Sequence, residues 1–257
     1  MIEEPYRWVE AVANRREYIE TQLAAGSPII ALSYSDGILF LTVGRAGQKI
    51  FEIYDRIAMG AIGHPGDIER LRMAGIELAS TEGFTRSAAD VSLRRLAHYS
   101  LSPAMKTAFE QIYSAPYLAR LLFAEVGASP DEDLFLRVEY DGAIATNGAS
   151  VSQARHHFAI LSPTKLSADS TESFLGKEHS PNANLAESIN LALNAWSVGR
   201  MGTSENQELP DRAAIAKFRD EQLAKKGIDA AVLERGSKTA IRYRTLTEAD
   251  VRAAVGS

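Results

Sequence analysis

The chain has 257 residues with 46% hydrophobic content, enough to fill a substantial core, and its 28 basic against 33 acidic residues leave a net charge of −5. That balance, with no basic run of five or more, argues against a nucleic-acid partner, and the absence of cysteine excludes disulfides and thiolate-bound metals. The acidic, amphipathic start MIEEPYRWVEAV lacks the apolar core of a signal peptide, and no stretch is apolar for the length of a membrane span, so the expectation is a cytoplasmic protein that engages no membrane.

Residues 7–25 read as a first helix: Val9, Val12, Ala13, Ile19 and Leu23 recur near a 3.6-residue period and Gly26 supplies a stop. Apolar runs at 29–33 and 38–42 flank Ser35-Asp36-Gly37, whose Asp-Gly pair suits a tight hairpin, and runs at 48–53 and 57–62 repeat the pattern around Tyr54-Asp55-Arg56. The period then changes. A helix is expected from Asp67 to a stop at Gly83, and helical spacing resumes over 91–113, kinked or restarted at Pro103. Strands return at 118–125 and 134–140, followed by an Asp141-Gly142 turn and a strand at 157–161.

Residues 185–196 are again helical, with Asn184 as N-cap and Gly199 as stop. A polar stretch, 202–210, precedes a charged helix at 211–226, and two last strands, 230–233 and 239–243, turn through Gly236. Thr247 and Asp250 have the spacing of a capping box, which predicts a C-terminal helix over about 247–255. Strands, helices, strands and helices in that order describe an α+β fold, two antiparallel sheets sandwiched between helical layers. With no repeat, low-complexity tract or linker in view, residues 1–257 are expected to form one domain.

Candidate chemistry is sparse. His64, His98, His156, His157 and His179 show no metal-ligand spacing, so no metal or other cofactor is expected. His64, in the turn GHPGD, would suit a general base, but no G-x-S-x-G elbow accompanies it. Glycines are scattered, which excludes a phosphate loop or dinucleotide fingerprint. Trp8, Tyr18, Trp196 and Phe218 fall on helical spacing and are read as packing residues, and Asp131-Glu132-Asp133 as a surface loop.

Three segments together resemble a known family. REYIETQLAAGSPIIALSYSDGILFL, GQKIFEIYDRIAMGAIGHPGDIERLRMAGIELA and the block from YLARLLFAEVG to DLFLRVEYDGAIA look like the core of a 20S proteasome subunit, closest to the bacterial α type. The resemblance covers most of residues 15–200 and continues more loosely into TAIRYRTLTEADV. It implies an αββα sandwich of the N-terminal-nucleophile hydrolase kind, in agreement with the element order above.

The family has two functional kinds, and Lys49 is where they coincide. In β-type subunits a lysine here assists an N-terminal threonine together with an acidic residue. In this chain Ser27 falls where the threonine belongs and Val43 where the acid belongs, Pro28 stiffens the next residue, and an uncleaved helix over 7–25 would block substrate entry. In α-type subunits the same lysine receives the C-terminal carboxylate of a ring-shaped ATPase activator. The resemblance therefore implies a non-catalytic subunit of an outer, seven-fold ring, controlling entry to a threonine protease made by a β-type partner.

Lys49, Glu17 and Gly26 match the docking pocket, and Ile19 and Leu23 on the amphipathic helix are expected to pack against neighbouring copies in the ring. Three alternatives stand beside this reading: a self-processed peptidase using Ser27, a homomeric scaffold ring, and a Lys49 that only pairs locally with Glu17 or Glu52. Departures from the family pattern also carry weight, among them a polar stretch before Asp211, with its helix, that is longer than usual. The first residues lack the Tyr-Asp-Arg that archaeal and eukaryotic α subunits use for gating, and Ser162-Pro163 stand where the family often has a glycine pair.

Overall fold

The computed structural model describes residues 5–44, 47–111, 113–146, 157–202 and 209–255; His156 and most of the polar stretch 202–210 lie outside them. Among the described residues ten strands form two five-stranded sheets, every neighbouring pair antiparallel. The first sheet contains β1 (Ile29–Tyr34), β2 (Gly37–Gly44), β8 (Phe158–Leu161), β9 (Gly227–Glu234) and β10 (Tyr243–Leu246), in the order β10-β9-β2-β1-β8. The second contains β3 (Ile50–Tyr54), β4 (Ile57–Gly63), β5 (Ala119–Glu125), β6 (Leu134–Val138) and β7 (Ile144–Thr146), in sequence order.

Both faces of each sheet are covered, and this explains why the strands read as nearly continuous apolar runs. Side chains alternate between two cores with the period of a strand. Ile30 and Leu32 face outward to helices α5 (Lys165–Glu178), α6 (Leu185–Met201), α7 (Arg212–Leu223) and α8 (Glu248–Val255). Ile29 and Ala31 face inward, meeting Ile50, Ala58, Ile62 and Leu122 of the second sheet. That sheet's outer face, with Met59, Leu121 and Phe123, is covered by α2 (Pro65–Thr85), α3 (Leu93–Leu96) and α4 (Ser102–Glu110). The result is the four-layer αββα sandwich.

Helix α1 (Pro5–Leu23) stands apart from the layers and closes one end of the space between the sheets. Ile19 and Leu23, one helical turn apart, are 0% and 1% exposed in the inter-sheet core. This corrects their assignment to contacts between copies: the amphipathic face is used inside the chain. Polar contacts pin the same helix. Arg120 donates to Glu20 at 2.5 Å and to Glu139 at 2.7 Å, the Tyr140 hydroxyl donates to Glu20 at 2.8 Å, and Arg15 donates to the carbonyls of Phe109 and Ser114 at 2.7 and 2.9 Å. Arg120 also reaches the carbonyls of Ser162 and Pro163, so this pair serves as a backbone anchor beneath α1.

Several other expectations need correction. The helix α5 was not anticipated, because its buried stripe is Ser167, Ser170, Thr171 and Leu175, mostly hydroxyls instead of apolar groups. Thr171 satisfies its hydroxyl on the Ser167 carbonyl at 2.7 Å. Gly199 is no stop: α6 runs past it to Met201, and a Cβ there would lie 2.6 Å from Thr171 Oγ1, so it is glycine that lets α5 and α6 approach. Gly83 likewise lies inside α2, where a Cβ would meet the Tyr54 hydroxyl at 2.2 Å. Ahead of Pro103 the helix passes through a π turn, Ala97–Leu101, so the missing proline N–H falls at the start of α4.

The Asp141-Gly142 turn joins β6 to the short β7, while β8 crosses to the other sheet and pairs with β1. The last strand begins at Tyr243, because the Ser237 and Thr239 hydroxyls bond the Ile241 carbonyl and hold the preceding residues in a turn. Asp133 is no surface residue. Its side chain is 0% exposed and is gripped at both oxygens by Arg235 at 2.9 Å, with Ser33 and the Gly127 amide completing the set.

Leu23→Ala is expected to lower unfolding stability by about 2–5 kcal/mol, and Tyr18→Ala, on the exposed side of the same helix, by no more than about 0.5 kcal/mol. Urea titration of the two variants checks this. Equal midpoints would show that α1 is not part of the core.

Candidate functional site

The end of the sandwich beneath α1 gathers the start of β1, the end of β2, the start of β3 and the start of β9. Register fixes this meeting: Val43 lies opposite Ile228, Gly44 opposite Gly227, and Thr42 opposite Asp229. From β9, Asp229 reaches across to the other sheet, where its Oδ2 accepts the backbone N–H of Lys49 at 2.6 Å and of Ile50 at 3.1 Å. The Tyr243 hydroxyl donates to the Ile50 carbonyl at 3.1 Å, a second tie between the sheets. Lys49 is thus placed at the strand mouth by a carboxylate 180 residues away in sequence.

The Lys49 side chain runs toward Gly44, where a Cβ would lie 3.7 Å from Nζ. Among the described residues its ammonium forms no ion pair, and in particular none with Glu17 or Glu52, the local partners considered from sequence. Burial lowers its pKa from the ordinary lysine value. The Asp229 charge opposes that shift, and the cations of Arg200 and Lys226 add to it. Burial in turn pushes the Asp229 carboxyl up, against the pull of the two amides and of Lys49.

Ser27 is buried, and its hydroxyl is already committed. It donates to the Val43 carbonyl at 2.6 Å and accepts the Trp196 indole N–H at 2.8 Å, with the Thr42 hydroxyl at 3.4 Å. Its peptide nitrogen is joined to Gly26, whose own N–H closes onto the Leu23 carbonyl at 2.9 Å at the end of α1. A serine nucleophile needs an adjacent base and an open approach. Val43 offers only a carbonyl, and Trp196 only a donor. Its spent hydroxyl makes Ser27 a structural pin between β1, β2 and α6.

Gly26 is held tightly as well. A Cβ there would meet Ile62 Cγ2 at 2.4 Å, and its carbonyl accepts from Arg200 Nη1 at 3.0 Å. Glu17 lies on the exposed face of α1, and the structure records no hydrogen bond or ion pair between its side chain and Lys49 or Gly26. The structure brings Gly26 and Lys49 to one end of the sandwich, beside Ile62 and Ala61 of β4, and shows no hydrogen bond from either to the Glu17 side chain. Sequence reasoning missed Asp229, Arg200 and Lys226: strand register places the first, and the packing of α6 and the turn before β9 place the other two. His64 is not a base either: its Nδ1 accepts the Gly66 N–H at 3.2 Å and caps α2.

Comparison with known proteins follows the same line. A proteasome subunit alpha of Streptomyces scabiei is 32% identical over 232 residues, 88% of this chain and 88% of its own. The chain belongs to the proteasome α-subunit family. A proteasome subunit alpha of Streptomyces coelicolor is 33% identical over 80% of the chain and 77% of its own length, and one from Acidothermus cellulolyticus 30% identical over 80% and 84%. No family model matches the chain. Family membership and the committed hydroxyl of Ser27 agree on a non-catalytic α-type subunit and disfavour the self-processed peptidase. Among the described residues no helix is long and apolar enough to cross a membrane.

Lys49→Met is expected to raise the melting temperature at neutral pH, because it removes a partly buried ammonium that has no ion pair among the described residues. The sign with pH follows from the lowered folded pKa. Between that value and the unfolded one the unfolded chain holds more protons, so wild-type stability rises with pH and the gap to Lys49→Met narrows. A lower melting temperature for Lys49→Met would mean that the ammonium is stabilised by a partner.

Proposed function

We propose that the chain forms the outer ring of a bacterial 20S proteasome in the cytoplasm, where it gates entry to rings of a catalytic β-type subunit bearing the threonine protease. In the same reading, Lys49 receives the C-terminal carboxylate of a ring ATPase. One observation carries this. Where a catalytic subunit needs a free nucleophile, this chain has a serine with its hydrogen bonds made, and at the same end of the sandwich an ammonium with no ion pair among the described residues. A carboxylate arriving there would replace water around a partly desolvated cation. Such a charge-assisted hydrogen bond is worth about 1.5–3 kcal/mol.

Gly26 serves as the wall of the pocket, since any side chain there would strike Ile62. Glu17 lies outside that wall on the exposed side of α1, free to meet a neighbouring copy or the incoming tail. Assembly of the seven-fold ring uses the exposed face of α1, where Trp8, Val9 and Tyr18 are about half or more exposed, in place of the buried Ile19 and Leu23. Ring contacts are heterologous, so this face meets a different patch on the next copy. The first residues lack Tyr-Asp-Arg, so a gate here differs from that of archaeal and eukaryotic α subunits or is absent.

Val9→Asp with Tyr18→Asp is expected to prevent ring formation while leaving the circular dichroism spectrum of the chain unchanged. Full rings in native mass spectrometry would remove α1 from the assembly surface. In assembled particles, Lys49→Ala should leave cleavage of short peptides intact and reduce ATP-dependent degradation of folded proteins, with small losses at each pocket compounding around the ring. Loss of peptide cleavage itself would contradict docking.

A further inference from the structure

Arg200 is the residue of this end that no sequence motif points to. It lies in the last turn of α6, exposed, with Nη1 on the Gly26 carbonyl at 3.0 Å. A guanidinium has five N–H donors in a rigid fork, so one contact leaves the rest of the fork available. Among the described residues Arg200 makes no ion pair. A continuous series of contacts connects it to the lysine. Gly26 leads to Ser27, Ser27 bonds the Val43 carbonyl, and Gly44 after it faces Lys49 Nζ.

We infer that Arg200 is the second cation of the tail-docking pocket, presenting its fork to the peptide α-carboxylate that Lys49 receives as a point charge. This rests on the docking reading above. Two oxygens in one plane match a guanidinium edge and leave a lone pair for the ammonium, an arrangement a single lysine cannot select. Like charges repel, so each cation lowers the affinity of the other for its proton. The depressed pKa of Lys49, to which burial contributes most and Arg200 after the opposing Asp229, fits that account. A bound carboxylate relieves the repulsion. Lys226 lies over the Trp196 ring at 5.7 Å and adds to the positive field without being needed as a donor.

The test uses assembled rings and a fluorescein-labelled pool of randomised hexapeptides, prepared once with a free C-terminal carboxylate and once as the carboxamide, with binding read by anisotropy. Wild type should prefer the free carboxylate, and Lys49→Ala should weaken that preference. Arg200→Gln, which keeps an N–H for the Gly26 carbonyl but not the charge, should weaken binding of the free-carboxylate pool by about tenfold or more, with partial rescue in Arg200→Lys. If Lys49→Ala loses the preference and Arg200→Gln keeps it in full, Arg200 only caps the α1–β1 connection and the inference fails while docking stands. If wild type shows no preference for the free carboxylate, the docking reading fails and this inference with it.

Discussion

Two sheets packed face to face leave an apolar seam that opens to water at the ends of the strands, and the manner of its closure decides what this protein can do. In this chain α1 covers the end where β1 begins. Ile19 and Leu23 enter the seam, and the salt bridge from Arg120 to Glu20 and Glu139 fixes the helix above it. Burying two large aliphatic side chains contributes about 1.5–3 kcal/mol each, and the partly buried ion pairs fix the angle at which the helix lies. Everything at that end follows from the helix staying where it is.

With α1 attached, Gly26 and Ser27 become an interior bend instead of a chain terminus. The Ser27 hydroxyl is then most usefully spent joining β1, β2 and α6, and it is. The same closure leaves Lys49 at the mouth of its strand, its backbone N–H held by the Asp229 carboxylate. A lysine held by its main chain keeps its ammonium for something else.

Much of this was legible in the sequence where chemistry and periodicity agree. The Asp-Gly turns, the apolar run at 29–33, Asn184 as an N-cap and the Thr247–Asp250 pair announced their elements, and both caps are present as reciprocal hydrogen bonds, Asn184 with Glu187 and Thr247 with Asp250. Failures came where a residue type has two uses. Gly83 and Gly199 resemble helix stops but are sites of close approach, and the hydroxyl stripe of α5 hides a buried face behind polar letters. Asp133 and Arg235, a buried pair 102 residues apart, look like two surface charges until the fold joins them. Amphipathicity placed Ile19 and Leu23 on a face needing cover, but it could not say whose. The candidate site was half visible: Lys49 and Gly26 sit in recognisable segments, whereas Asp229 and Arg200 arrive through register and helix packing alone.

The central claim is that α1 remains covalently and structurally part of the subunit, so that this end is not an active site. Intact-mass measurement of the chain purified from particles assembled with its catalytic partner tests this most directly. The account predicts a mass that retains the Gly26–Ser27 bond and the whole of α1. A species beginning at Ser27 would contradict it, because it would free the very amine and hydroxyl that the fold keeps committed.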